Sequence, residues 1–235
     1  MGTEKAIDLD KRIIFALDVE SREEAQTWVE RLEDQIRFYK VGLQLFLSGG
    51  FSIIEWIRKR GLEVMLDLKF FDVPETVGCA IRQLKGRGAT FTTVHGNDGI
   101  LKAAVKNKNG TQILAVTVLT SLDQGDIREL GFDCSVEELV LNRTRRALAI
   151  GCDGVVCSGL EAPKLRAHLG DDFLIVVPGV RPAEYLQDDQ KRTVDVRSAF
   201  QNGADHIVVG RPIRQAEDPV SVVEDMQKDI ADVLG

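Results

Sequence analysis

The sequence predicts a (β/α)8 barrel, an α/β fold occupying 1–235 as a single domain. First, eight short β-branched or apolar runs recur at fairly even intervals, with amphipathic stretches between them. Second, the runs are nearly continuous in apolar character, as in parallel strands covered on both faces. Third, no GxGxxG follows the first run, and a doubly wound open sheet, the competing architecture, seldom needs eight such units.

The expected strands are RIIFALDV (12–19), FYKVGL (38–43), EVMLDLK (63–69) and FTTVHG (91–96), then ILAVTVL (113–119), GVVCS (154–158), LIVVPGV (174–180) and HIVVG (206–210). Between them, Ser21 precedes REEAQTWVERLED with Glu24 three residues on, the pattern of a capping box. Further helical stretches begin at Ser52, Glu75, Asp98 and Ser135, and several are closed by a glycine. The segments 121–135 and 181–193 are expected to be long loops after strands, where barrels place substrate covers.

Composition narrows the function. Hydrophobic residues are 44% and charged residues 29% of the 235, an ordinary globular balance. A net charge of −7 argues against a general binder of nucleic acid or anionic membranes, though not against an anionic small substrate held at a locally positive site. The start MGTEKAIDLDKR has no apolar leader core, Ala6 stands where a myristoylation signal needs Ser or Thr, and no run is long enough to span a bilayer. Cys79, Cys134, Cys152 and Cys157 form no CxxC pair, and His95, His168 and His206 lack metal-ligand spacing. A cytoplasmic protein with free thiols is expected.

Barrel chemistry lies at the C-terminal ends of the strands. There the sequence offers Asp18, Lys40, Asp67 and Lys69, with Asp72 in the loop beyond; strands four and five add His95, Asn97, Thr117 and Thr120. Asp67 and Lys69, two residues apart, are expected on one face of their strand. A single strand-end charge is often a tie between neighbouring strands. Five acids and bases from three adjacent strands form a poor stability device, because ionised groups pay a desolvation cost even when paired. Unit charges 4 Å apart interact by about 4 kcal/mol at an effective dielectric near 20, so the array would be strongly pre-organised.

A Schiff-base lysine needs a neighbouring cation or an apolar pocket. Lys69 has carboxylates on both sides and is expected to stay charged, suited to protonating a basic carbon or pairing with a developing anion. Asp67 would repel an anionic substrate group that leaves as neutral carbon dioxide. At the end of the eighth strand, VVGRP supplies Gly210, which admits backbone close to an oxygen, and Arg211, which offers a bidentate fork: a phosphate contact.

The string LDLKFFDVPETV resembles the DxKxxD signature of the orotidine 5′-phosphate decarboxylase family. The resemblance extends through FALDV, YKVGLQLF, TVLTS, VPGVRP, DDQKRT and IVVGRPI. It implies decarboxylation of orotidine 5′-phosphate to uridine 5′-phosphate, the last step of pyrimidine nucleotide synthesis, without metal or organic cofactor. Lys69 would donate the proton to C6, Asp67 would sit beside the departing carboxylate, and Lys40 and Asp72 would complete the array. The implied homodimer shares its sites, with Asp72 and Thr76 serving the neighbouring subunit. Asp18 would hold the ribose, Thr120 the pyrimidine, and Arg181, Gln190, Gly210 and Arg211 the phosphate. Phe71 and Glu75 stand where the family often has His and Asn, at positions that carry no charge in this scheme.

Two rivals remain at this stage. A magnesium-dependent sugar-phosphate decarboxylase or aldolase of the same superfamily would need an acidic ligand where the second strand has Lys40. A non-catalytic barrel that binds a nucleotide phosphate would have no use for Asp67 or Asp72.

Overall fold

The computed structural model describes residues 5–180 and 192–235, so the expectations at Arg181 and Gln190 lie outside the described residues. Each of the eight expected runs forms a strand: β1 Ile13–Ala16, β2 Phe38–Gly42, β3 Glu63–Phe70, β4 Phe91–His95, β5 Gln112–Val116, β6 Gly154–Val156, β7 Leu174–Pro178 and β8 His206–Val209. Sequence neighbours pair in parallel throughout, and β8 returns to β1 through Ile13↔Ile207, closing the barrel.

The helices are α1 Leu9–Arg12, α2 Arg22–Leu32, α3 Leu43–Lys59, α4 Pro74–Arg82, α5 Asp98–Lys106, α6 Gln124–Glu129, α7 Val136–Ile150, α8 Ala162–Leu169, α9 Val196–Gln201, α10 Arg211–Arg214 and α11 Pro219–Leu234. Their ends follow local chemistry. Ser21 accepts the Glu24 N–H at 3.1 Å, and Ser135 and Glu138 cap α7 reciprocally before Gly151 ends it at φ 100°. Two differences from the sequence reading appear. The helix expected from Ser52 starts at Leu43 and is kinked at Gly50, whose φ of 54° an L side chain rarely adopts. The expected loop 121–135 contains α6, started by a capping box between Asp123 and Asp126.

The strand period divides the core in two. Leu17, Tyr39, Val41, Val64 and Leu66 point outward and pack beneath the helices. Inside the barrel lie Ile14, Ala16, Phe38, Met65, Phe91, Leu114, Val116, Val156, Val176 and Val208. The bottom of this interior is an aromatic layer in which His206 contacts the rings of Phe38 and Phe91 edge-on at centroid distances of 5.7 and 5.3 Å. Continuing each inward row toward the strand C-termini gives Ile14–Ala16–Asp18, Phe38–Lys40 and Met65–Asp67. The apolar filling therefore ends where the charges begin.

Candidate active site

Lys40 is the hinge of the charged layer. Its ammonium donates to Asp18 Oδ1 at 2.8 Å and lies 3.9 Å from Asp67 Oδ2. Gly42 leaves room for it, because a Cβ there would come 3.1 Å from Lys40 Nζ and 3.4 Å from Asp18 Oδ1. Lys69 Nζ donates to the same Asp67 Oδ2 at 2.8 Å, while Asp67 Oδ1 accepts the Thr93 hydroxyl at 2.8 Å. Burial opposes ionisation of Asp67, but the pull of Lys40 and Lys69, with the hydrogen bonds from Lys69 and Thr93, outweighs it and holds the carboxyl below its usual range. The outer members are Asp18 and Lys69, whose side chains retain 49% and 39% of their surface against 11% for Asp67 and for Lys40.

The backbone at Lys69 breaks the expected alternation. Lys69 has φ 48°, and among the described residues it is the non-glycine with positive φ. The β3–β4 register shifts between Leu66 and Phe70. Such a conformation costs of order 1–3 kcal/mol and persists only where its surroundings enforce it. Thr93, fully buried on β4, is the enforcing group: its Oγ1 accepts the Lys69 N–H at 2.9 Å while its own proton goes to Asp67. Sequence reasoning passed over Thr93. Its signal was two consecutive threonines in an otherwise apolar strand, whose hydroxyls need partners when buried.

The charged layer opens into a cavity of about 440 Å³, within the range of small-molecule sites. Its apolar floor includes Ala16, Met65, Val156 and Val208; Asp18, Lys40, Asp67 and Lys69 form one wall. The lining also includes Thr120, Gly210 and Arg211, together with Gln44, Ser121 and Arg214, which the sequence did not single out. Arg214 donates to the Asp18 carbonyl oxygen, linking α10 to the end of β1. At Gly210 a Cβ would meet Ala16 Cβ at 3.2 Å, so glycine there keeps the mouth open.

Other expected residues lie elsewhere. Asp72 and Thr76 are exposed at the start of α4 and do not line this cavity; Asp72 Oδ1 accepts the Val73 N–H at 2.6 Å. The loop beyond Phe70 carries Asp72 outward, away from the cavity that Asp18, Lys40, Asp67 and Lys69 line. Nor do the remaining polar strand-end groups enter the cavity. Asn97 caps α5, Thr117 Oγ1 donates to Val156 O at 3.0 Å, and His95 Nδ1 is 3.0 Å from Val116 O.

The family model described as orotidine 5′-phosphate decarboxylase / HUMPS family matches residues 11–226. This chain belongs to that family. An orotidine 5′-phosphate decarboxylase of Methylococcus capsulatus is 57% identical over 232 residues, covering 98% of this chain and 96% of the relative. One from Xanthomonas euvesicatoria is 47% identical over 227 residues, 95% and 93% of the two chains. The crystal structure of orotidine 5′-phosphate decarboxylase from Lactobacillus acidophilus superposes with a TM-score of 0.83 at 36% identity, covering 94% of this chain and 99% of that one. Asp18, Lys40, Asp67, Lys69, Gly210 and Arg211 all fall inside the span matched to the orotidine 5′-phosphate decarboxylase / HUMPS family.

Proposed function

We propose that this chain is a carbon–carbon lyase that decarboxylates orotidine 5′-phosphate to uridine 5′-phosphate in pyrimidine nucleotide synthesis, on a single barrel domain in the cytoplasm. The observation that carries the reading is the shared Asp67 oxygen, bonded to Lys69 at 2.8 Å and 3.9 Å from Lys40, in one cavity with Gly210 and Arg211. In this reading the phosphate dianion is held at Gly210 and Arg211, with Arg181 and Gln190, and the pyrimidine lies toward Thr120. The ribose hydroxyls meet Asp18 and Lys40. The base is thereby set with its C6 carboxylate toward Asp67 and Lys69.

The bond between C6 and the carboxyl carbon breaks with its electron pair remaining on C6, and carbon dioxide leaves uncharged. The ammonium of Lys69 stabilises the developing carbanion and transfers a proton from Nζ to C6; solvent returns a proton to the lysine. Holding the ammonium in place before the reaction is the larger part of the effect, because charge already oriented needs no reorganisation at the transition state. No cofactor enters this scheme. Lys40 already lies between Asp18 and Asp67, which disfavours a divalent cation and hence the magnesium-dependent rival.

Asp72 and Thr76 serve a neighbouring copy in a homodimer. Their exposure, beside Phe71 and Val73, which keep 68% and 63% of their surface, supports that arrangement. Purified protein in excess chelator is expected to consume orotidine 5′-phosphate, seen as loss of the orotate absorbance band. Turnover that appears only on adding magnesium would favour the rival.

A further inference from the structure

A buried ion pair outside the charged layer has no place in that scheme. Glu161, 4% exposed, precedes α8, and its partner Arg192 precedes α9. Arg192 Nη1 donates to Glu161 Oε1, and Glu161 Oε2 accepts the Ser158 N–H at 2.9 Å. Arg192 Nη2 donates to Leu119 O at 3.0 Å and to Val118 O at 3.3 Å. The Arg192 carbonyl accepts the Ser158 hydroxyl at 3.1 Å, and that hydroxyl oxygen accepts the Leu160 N–H at 3.2 Å. One guanidinium thus joins the chain after β5, the chain after β6 and the chain before α9.

As a stabilising device this is a poor choice, since a buried pair often does no better than apolar side chains of the same volume. What it supplies is direction: planar, forked donors fix the carbonyls they meet. Those carbonyls belong to Val118 and Leu119, which line the cavity together with the adjoining Thr120.

We propose that Glu161 and Arg192 are positioning residues that set the cavity wall Val118–Thr120 against the pyrimidine of the substrate. The pair touches no substrate itself; Glu161 aims the guanidinium, and the guanidinium places the backbone before Thr120. The assignment of that wall to the base rests on the decarboxylase reading; the tether itself does not.

Arg192→Lys separates the two. A lysine keeps a cation beside Glu161 but cannot reach that carboxylate and two carbonyls at once. Hydrogen exchange is expected to accelerate about fivefold or more across 117–122 and to stay unchanged in α11, a local loosening rather than a global one. Uridine 5′-phosphate affinity is expected to fall about tenfold, while ribose 5-phosphate, which lacks the base, binds within about twofold of the unsubstituted protein. Glu161→Gln, which keeps an acceptor for Ser158, should show the same split to a smaller degree. Unchanged exchange across 117–122 overturns the tether whatever the chain binds. Equal loss of both ligands overturns the positioning of the base. Binding of uridine 5′-phosphate by the unsubstituted protein tests the decarboxylase reading alone.

Discussion

A lysine in the left-handed region of backbone space needs its neighbours to hold it there, and at Lys69 the neighbour is a single hydroxyl. Thr93 accepts the Lys69 N–H and donates to Asp67, so one oxygen fixes both partners of the ion pair. Thr93→Val keeps the volume but leaves a strained N–H and a buried carboxylate oxygen without their partner, each costing about 1–3 kcal/mol. The expected outcome is a 10- to 100-fold fall in kcat with the fold retained, and Thr93→Ser should recover most of it. Steady-state kinetics beside a thermal melt checks this; Thr93→Val at full kcat would remove the hydroxyl from the mechanism. The types and approximate places of Asp18, Lys40, Asp67 and Lys69 were legible because strand-end charges stand out in apolar runs. The twist that aims Lys69 was not. Periodicity assumes regular φ, whereas the positive φ comes from a register shift between two strands that are separate in sequence.

At the scale of the element, continuous apolar runs gave away all eight strands, because burial on both faces leaves little room for polar residues. The helices were read less well. α6 was hidden by its brevity and by Gly125, although the Asp123–Asp126 capping box was present in the sequence, and α3 begins nine residues before its amphipathic signal because Gly50 interrupts the pattern. The floor of the barrel makes its own prediction. Burial beside Phe38 and Phe91 depresses His206 from 6.5 to about 4, despite the opposing bond to Lys11 O. The folded state therefore keeps the ring neutral where the unfolded chain would protonate it. Stability is fully present above about pH 6.5 and is lost as the pH falls toward 4, by about 3 kcal/mol in all. Denaturant melts from pH 7 to pH 4 should show this loss, and His206→Gln should flatten it; an identical slope in the variant would contradict the assignment.

For the whole molecule, a net charge of −7 coexists with a cavity whose corner carries Arg211 and Arg214, so an anionic substrate is drawn to a local field rather than to the protein at large. The outward position of Asp72 gives the assembly a kinetic signature. If Asp72 acts in a neighbouring copy, mixing inactive Asp72→Ala and Lys69→Ala chains forms some hybrid dimers with one intact site, and up to about a quarter of normal activity should return on random mixing. Verified hybrids without activity would place both residues in the same chain's site. The role of Lys69 is the claim on which the rest depends, and it is tested most directly by Lys69→Ala assayed for turnover and for product binding together. The account predicts that uridine 5′-phosphate still binds while decarboxylation of orotidine 5′-phosphate falls by at least about 10⁴-fold; turnover near that of the unsubstituted protein would contradict it.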